Sequence, residues 1–228
     1  MAERTEDAQT QALRAFLLLC ALESAPDAWP GRLVLVRGLE SEGRAVSVAA
    51  TIAGAACLAI DARAEVCRAT LRAGACDFVV NSTDEALRIL KNEIRKRKPV
   101  SVVVATDEQA ALEELAARGV APYVFVLSKM DDLGIAGERF PEFGTRIVTP
   151  GDFARIAAEY TSARGLEVRE FRFATAQELN DFDRKFARMG PRDELLSRWA
   201  MLAPGFFYRE RPFRRATCLS PDDLGNFG

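Results

Sequence analysis

Apolar and polar positions fall along this chain in two alternating kinds of block. Short continuous apolar runs occur at 33–36, 56–60, 78–80, 100–105 and 123–127, each bounded by turn-forming or charged residues. That is the pattern of strands buried on both faces of a sheet. Between them lie longer segments whose apolar residues recur three and four apart, the spacing of amphipathic helices. A helix is predicted over 5–24, with Leu13, Phe16, Leu17, Cys20 and Leu22 on one face and Arg14 opposite; Pro26 ends it and Trp29-Pro30-Gly31 turns into the first strand. Further helices are predicted at 45–53, closed by Gly54, at 63–71, and from a capping box at Ser82-Thr83-Asp84-Glu85 with Ala86, Leu87, Leu90 and Ile94 inward. A helix over 107–118, closed by Gly119, follows the fourth strand. Regular strand–helix alternation predicts an α/β fold: a Rossmann-like parallel sheet with flanking helices and right-handed crossovers, preceded by an N-terminal helix.

Past the fifth strand the pattern weakens. Residues 128–144 show no clear periodicity and read as a flexible surface loop, or as a ligand loop, since they follow a strand's carboxyl end. A sixth short strand is expected at 146–148. A helix then opens with Thr149 as cap and Pro150 at its first position. Residues 168–173 alternate charged with apolar, the pattern of a half-exposed strand. A second capping box, Thr175 to Glu178, opens a helix with Leu179, Phe182 and Phe186 on one face. Gly190-Pro191 breaks it, and 192–202 is helical again. The expected organisation is an N-terminal helix and linker over 1–31, a Rossmann-like domain over 32–148, and a helical C-terminal extension with an aromatic and arginine-rich tail over 149–228. In that tail Phe206, Phe207, Tyr208 and Phe213 interleave with Arg209, Arg211, Arg214 and Arg215. Such a segment stacks on bases, or forms an arm packed on its own domain or on a second subunit.

The first crossover carries the candidate chemistry. Gly38 and Gly43 bracket Leu39-Glu40-Ser41-Glu42 between the first strand and its helix. In a doubly wound fold this turn holds a dinucleotide pyrophosphate on free amides at the helix N-terminus. It is not G-x-G-x-x-G, however, and Glu40 and Glu42 would each repel a phosphate by about 1 kcal/mol per charge pair even at water-like screening. Arg44 offsets part of this. A structural tight turn and a phosphate site both fit the residues. Asp61 ends the second strand about 20 residues on, where an acidic side chain bonds a ribose; it equally suits an N-cap for the helix that follows. Ser128 and Asp131 lie at the carboxyl end of the fifth strand.

Composition narrows the chemistry. There is no histidine among the 228 residues, which removes Ser-His-Asp and Cys-His nucleophile pairs and every imidazole metal site. No metal is expected. The five cysteines lack CxxC spacing and read as reduced thiols of a cytoplasmic protein. A net charge of −2 points away from nucleic acid. No apolar run is long enough to span a bilayer, and the N-terminal stretch is too acidic for a signal peptide. Exposed tail aromatics suggest a homo-oligomer or a partner protein.

The run Gly38-Leu39-Glu40-Ser41-Glu42-Gly43-Arg44-Ala45-Val46 resembles the Gly-Leu-Gly-Gly-Met-Gly-Gly-Ala-Gln turn of the urocanases (urocanate hydratases). Ala49-Ala50-Thr51-Ile52-Ala53-Gly54 and Cys57-Leu58-Ala59-Ile60-Asp61 continue the likeness. So do Asp84-Glu85-Ala86-Leu87-Arg88, Lys98-Pro99-Val100-Ser101-Val102 and Arg118-Gly119-Val120. The likeness runs over about 16–143 and, more weakly, through Pro204-Gly205-Phe206, Pro212-Phe213-Arg214 and Leu219-Ser220-Pro221-Asp222-Asp223. It implies a Rossmann-like domain holding NAD as an electrophile for adding water to urocanate. By resemblance the cofactor-binding residues are Gly38, Leu39, Gly43, Arg44 on a phosphate, Asp61 on a ribose, and Ser128 with Asp131 at the sheet edge. The departures bear on the same site. Glu40, Ser41, Arg44 and Val46 replace three glycines and a glutamine, Glu42 replaces the methionine, and 127–132 does not keep the family's Asp-Gln-Thr-Ser-Ala-His-Asp loop. The chain is also less than half the family's usual length and lacks most of its histidine-containing core. Two expectations follow. One is a truncated, divergent urocanase-like protein in a binding or assembly role, without hydratase activity alone. The other is a divergent NAD- or nucleotide-dependent lyase or hydratase acting at the carboxyl edge of the sheet.

Overall fold

The computed structural model describes residues 7–129, 133–189 and 193–225. Six parallel strands form the central sheet: β1 (Leu33–Arg37), β2 (Ala56–Asp61), β3 (Phe78–Val80), β4 (Val100–Ala105), β5 (Val124–Leu127) and β6 (Arg146–Val148). Their order is β3-β4-β2-β1-β5-β6. The continuous apolar runs fall where they must, since β1, β2 and β5 are buried along their whole lengths. The six-residue β4 lies inside, between β2 and β3, and the three-residue β3 takes the edge, where Phe78 is 47% exposed. Short edge strands limit the unpaired backbone a sheet presents.

Alternate side chains of each strand feed two cores. Val34, Val36, Cys57 and Ala59 face a layer containing α1 (Ala8–Leu22), α2 (Ser41–Ala53), α3 (Ala64–Arg72) and α7 (Pro150–Ala163). Leu33, Leu35, Leu58 and Ile60 face α4 (Thr83–Arg95), α5 (Glu108–Ala117) and α6 (Gly134–Glu142). The chain is thus an α/β protein with a doubly wound, Rossmann-like parallel sheet. Caps act where the sequence places them: the Glu85 amide donates to Ser82 Oγ at 3.3 Å, and Thr149 and Asp152 form a reciprocal box.

Two expectations are corrected. Residues 128–144 are not simply a surface loop: α6 occupies 134–142 and buries Ala136 and Phe140 completely, with Phe140 edge-on to Phe125 at 5.4 Å. Two deeply buried side chains one turn apart suffice to dock a nine-residue helix, but they are too few to stand out as a period. Nor is α1 buried along one stripe. Ala12, Leu13 and every residue from Ala15 to Cys20 are buried, because α2 and α7 cover one side and the C-terminal segment covers the other.

That segment is helical, as expected, and also holds a ribbon. After α7 the chain forms β7 (Glu167–Arg172), α8 (Ala176–Met189), α9 (Glu194–Phe206), β8 (Arg214–Leu219) and the short α10 (Pro221–Leu224). The antiparallel β7–β8 pair registers Glu167 with Leu219 and Arg172 with Arg214. The break expected at Gly190-Pro191 lies outside the described residues. Polar bonds fix β8 against the domain. The Ala216 amide donates to Gln9 Oε1 at 3.2 Å, Gln9 Nε2 donates to the Arg214 carbonyl at 3.1 Å, and Trp199 Nε1 donates to the Ala216 carbonyl at 2.9 Å. Arg215 forks onto both oxygens of Asp183 at 2.8 Å. So the tail packs on its own domain. Its arginines face carboxylates, as Arg214 does Asp7 at 3.3 Å, or aromatic rings, as Arg211 does Phe213 at 4.1 Å.

Candidate functional site: the turn after the first strand

The sheet's switch point lies between β1 and β5, because β2 through β4 build out on one side of β1 and the crossover from β4 then places β5 on its other side. Open α/β sheets bind ligands at the carboxyl edge of this crevice. At this edge the β1–α2 turn packs closely on its own backbone and on Ser128. Gly38 has φ +82° and donates its amide to the Ile60 carbonyl at 2.8 Å. A Cβ added at Gly38 would lie 2.3 Å from Ser128 Oγ, and one at Gly43 would lie 2.0 Å from the Gly38 carbonyl oxygen. Both glycines are therefore required for a tight return of the chain onto its own first helical turn. Ser128 closes the other wall, donating its amide and its hydroxyl to the Arg37 carbonyl at 3.1 and 2.7 Å.

Asp61 is fully buried beneath this turn. Its Oδ2 accepts the Leu39 amide at 2.7 Å and Arg63 Nη2 at 2.7 Å. Its Oδ1 accepts the Arg63 amide at 2.8 Å and Arg63 Nε at 2.9 Å. Four donors meet the four lone-pair sites of the carboxylate. Burial alone would raise this carboxyl, but the Arg63 guanidinium and the two amides outweigh it and hold it below its ordinary range, while Asp61 in turn pushes the Arg63 guanidinium up. The capping alternative does not hold, since Arg63 is the N-cap of α3 and Asp61 bonds the residue two ahead of it instead of the helix's first amides.

Arg63 also reaches across to Glu40, with Nη1 and Oε1 3.4 Å apart. Glu40 is the N-cap of α2 but makes no side-chain cap bond. Glu42, in the first turn of α2, is raised by burial and then by the charge of Glu40. On the far side of the crevice the buried Arg37 pairs with Glu108 at 3.2 Å, and Lys129 lies 3.7 Å from the same carboxylate. Among the described residues the edge carries the cations Arg37, Arg63 and Lys129 and the carboxylates Glu40, Glu42, Asp61 and Glu108. The structure brings Gly38, Leu39, Gly43, Asp61 and Ser128 together. Arg44 turns away and lines a cavity beside α2. Asp131 lies outside the described residues.

A family model, the urocanase Rossmann-like domain, matches residues 14–128, half of the chain. This chain belongs to the urocanase family. The match runs from Arg14, within α1, to Ser128, so it covers the later part of α1, β1 through β5 and the turn just described. Among solved structures, galactitol-1-phosphate dehydrogenase from Escherichia coli aligns with a TM-score of 0.33 and 12% identity, over 92% of this chain and 59% of that one. Overlap of that quality bears on neither fold nor function, and the chain spans well under two thirds of that protein's length.

Sequence reasoning did not single out Arg63, Arg37 or Glu108, and it gave Lys129 no role, since adjacency to Ser128 alone is almost no evidence of a Ser–Lys dyad. The signal for Arg63 was its place two residues after Asp61, within reach of an Asx-type turn. The Arg37–Glu108 pair joins residues 71 apart and had no local signature. Among the described residues, no group of three metal-ligating side chains converges, and no helix is long and apolar enough to cross a membrane. The five cysteines are free and buried, with burial pushing the Cys57, Cys76 and Cys218 thiols up to about 12.

Proposed function

We propose that this urocanase-family chain keeps the Rossmann-like frame with its dinucleotide turn closed, and serves in a binding or assembly role without urocanate hydratase activity of its own. The observation that carries this reading is the saturated Asp61 carboxylate. A ribose hydroxyl would have to displace Arg63, leaving a buried carboxylate short of two charge-assisted bonds. The residues of the turn do not fit a pyrophosphate either. The Gly38 and Leu39 amides are spent on Ile60 and Asp61, and Glu40 and Glu42 add two negative charges at the helix N-terminus. Without histidine, the chain has no imidazole to carry protons in a hydration. Calorimetric titration of the purified protein with NAD, alongside an assay for NAD-dependent urocanate turnover, tests the proposal. The expected result is neither saturable heat nor turnover, and either signal overturns it.

A second reading, a divergent nucleotide-dependent lyase, draws on the left-handed Gly38 and the close-packed Gly43. These preserve the tight-turn geometry a phosphate site uses. It requires Asp61 on a ribose and Arg44 on a phosphate. It fails if Asp61→Ala and Arg44→Glu leave both ligand affinity and activity unchanged.

A further inference from the structure

A cavity of about 700 Å³ lies beside α2, from its first residue Ser41 along Arg44, Ala45 and Val48. Its floor is formed by the buried Ala12, Ala45, Val48 and Phe207. Its walls are the end of α3 through Ala75 and the segment from Gly205 to Glu210 that leaves α9. Its volume is within the range of small-molecule sites, which are apolar with a few convergent polar groups. Two large apolar side chains at its mouth are left in water, Leu71 at 41% and Tyr208 at 58% exposure. A Cβ placed on Gly74 or Gly205 would meet nothing within 4 Å, so neither lining glycine is packed against a neighbour.

The charges around this cavity are unbalanced. Arg44, Arg72 and Arg209 line it. Among the described residues the side chains of Arg44 and Arg72 make neither a hydrogen bond nor an ion pair, and Arg209 has the Tyr208 ring, 5.0 Å from its guanidinium. Arginines at other junctions of this protein are neutralised: Arg32 by Glu23, Arg214 by Asp7, Arg215 by Asp183. The single carboxylate of the lining, Glu210, accepts from Gln9 Nε2 at 2.8 Å, and burial raises it toward its neutral form. An apolar chamber rimmed by three guanidiniums with no carboxylate paired to them complements an anion with an apolar body.

We propose that this cavity binds an amphipathic organic anion, its hydrocarbon or aromatic part against Val48, Leu71, Phe206 and Phe207 and its acidic group held by Arg44, Arg72 and Arg209. The site adjoins the turn at Ser41 but uses none of Gly38, Leu39, Asp61 or Ser128. It rests on the reading in which the turn is closed, since a phosphate held there would claim Arg44.

The probes are 8-anilinonaphthalene-1-sulfonate and its uncharged counterpart N-phenyl-1-naphthylamine, titrated into the full chain by fluorescence, with decanoate as competitor. The expected result is saturable one-to-one binding of both dyes to the folded protein, displaced by decanoate. Arg44→Gln with Arg72→Gln, both on exposed side chains, should weaken the sulfonate dye roughly tenfold or more and leave the neutral dye within about twofold, because the apolar chamber is intact. Ala8→Trp, at an exposed position on the rim, should weaken both dyes. Absence of saturable sulfonate binding overturns the proposal. So does sulfonate binding that neither the arginine pair nor Ala8→Trp alters, which would place the dye elsewhere, and so does equal weakening of both dyes by the arginine pair.

Discussion

At the scale of single residues, the turn rests on two glycines and one carboxylate. Gly43→Ala would set a methyl 2.0 Å from the Gly38 carbonyl, and backbone cannot yield as a flexible side chain does. It should cost at least about 2 kcal/mol in urea denaturation. Gly151, in the first turn of α7 with nothing within 4 Å of its would-be Cβ, is the control; Gly151→Ala should be neutral or stabilising by about 0.5–1 kcal/mol. Two of the turn's carboxylates, Asp61 and Glu42, have opposite pH signatures. Asp61 is held below its unfolded value, so its contribution is present above about pH 4 and is lost as pH falls through its folded value. Asp61→Asn should cost about 2–3 kcal/mol at pH 7, a fall in Tm of about 5–10 °C, and the gap from wild type should narrow in acid. Glu42 is raised, so its penalty is absent in acid and appears as pH rises through its folded value. Glu42→Gln should therefore raise Tm at pH 7 and leave it unchanged near pH 3, as followed by thermal melts at the two pH values.

At the scale of elements, what was legible in the sequence was what short-range physics dictates. The runs at 33–36, 56–60 and 100–105 announce buried strands because a sheet covered on both faces leaves few polar positions, Ser101 being the one polar side chain in these runs. Ser82 and Thr149 announce helix starts because capping is a three-residue interaction. What stayed hidden was non-local. β8 reads as an arginine-rich tail because its arginines find partners far away, Arg215 on Asp183 and Arg214 on Asp7. Gln9, polar near the start of α1, is almost fully buried because it bonds the backbone of a strand 207 positions later. In the candidate site, Gly38, Gly43, Asp61 and Ser128 were visible as a constellation. The role of Arg63 was not, since which side chain fills a carboxylate's lone pairs is decided by packing in three dimensions. The ribbon should be integral to folding. Asp183→Asn leaves the buried Arg215 with half its partner's charge-assisted bonds, and should cost about 3 kcal/mol with loss of amide protection across β7 and β8 in hydrogen exchange.

At the scale of the whole molecule, a Rossmann-like frame of the urocanase family keeps the strand, the turn and the helix found at dinucleotide sites, and the proposed reading is that its own side chains close that turn. Arg63 occupies Asp61, Ser128 occupies the Arg37 carbonyl, and Glu40 and Glu42 stand where phosphate charge would fall. Unpaired guanidiniums and open apolar volume are gathered instead beside α2. The most direct measurement of whether the turn is closed uses protein purified natively from cells, denatured, and examined by mass spectrometry and ultraviolet absorbance for a released nucleotide. A closed turn releases no NAD, and added NAD leaves the protein's Tm unchanged. Stoichiometric NAD in the denatured supernatant would contradict it, and would mean that Arg63 gives way to a ribose and that the turn still holds a pyrophosphate beside Glu40 and Glu42.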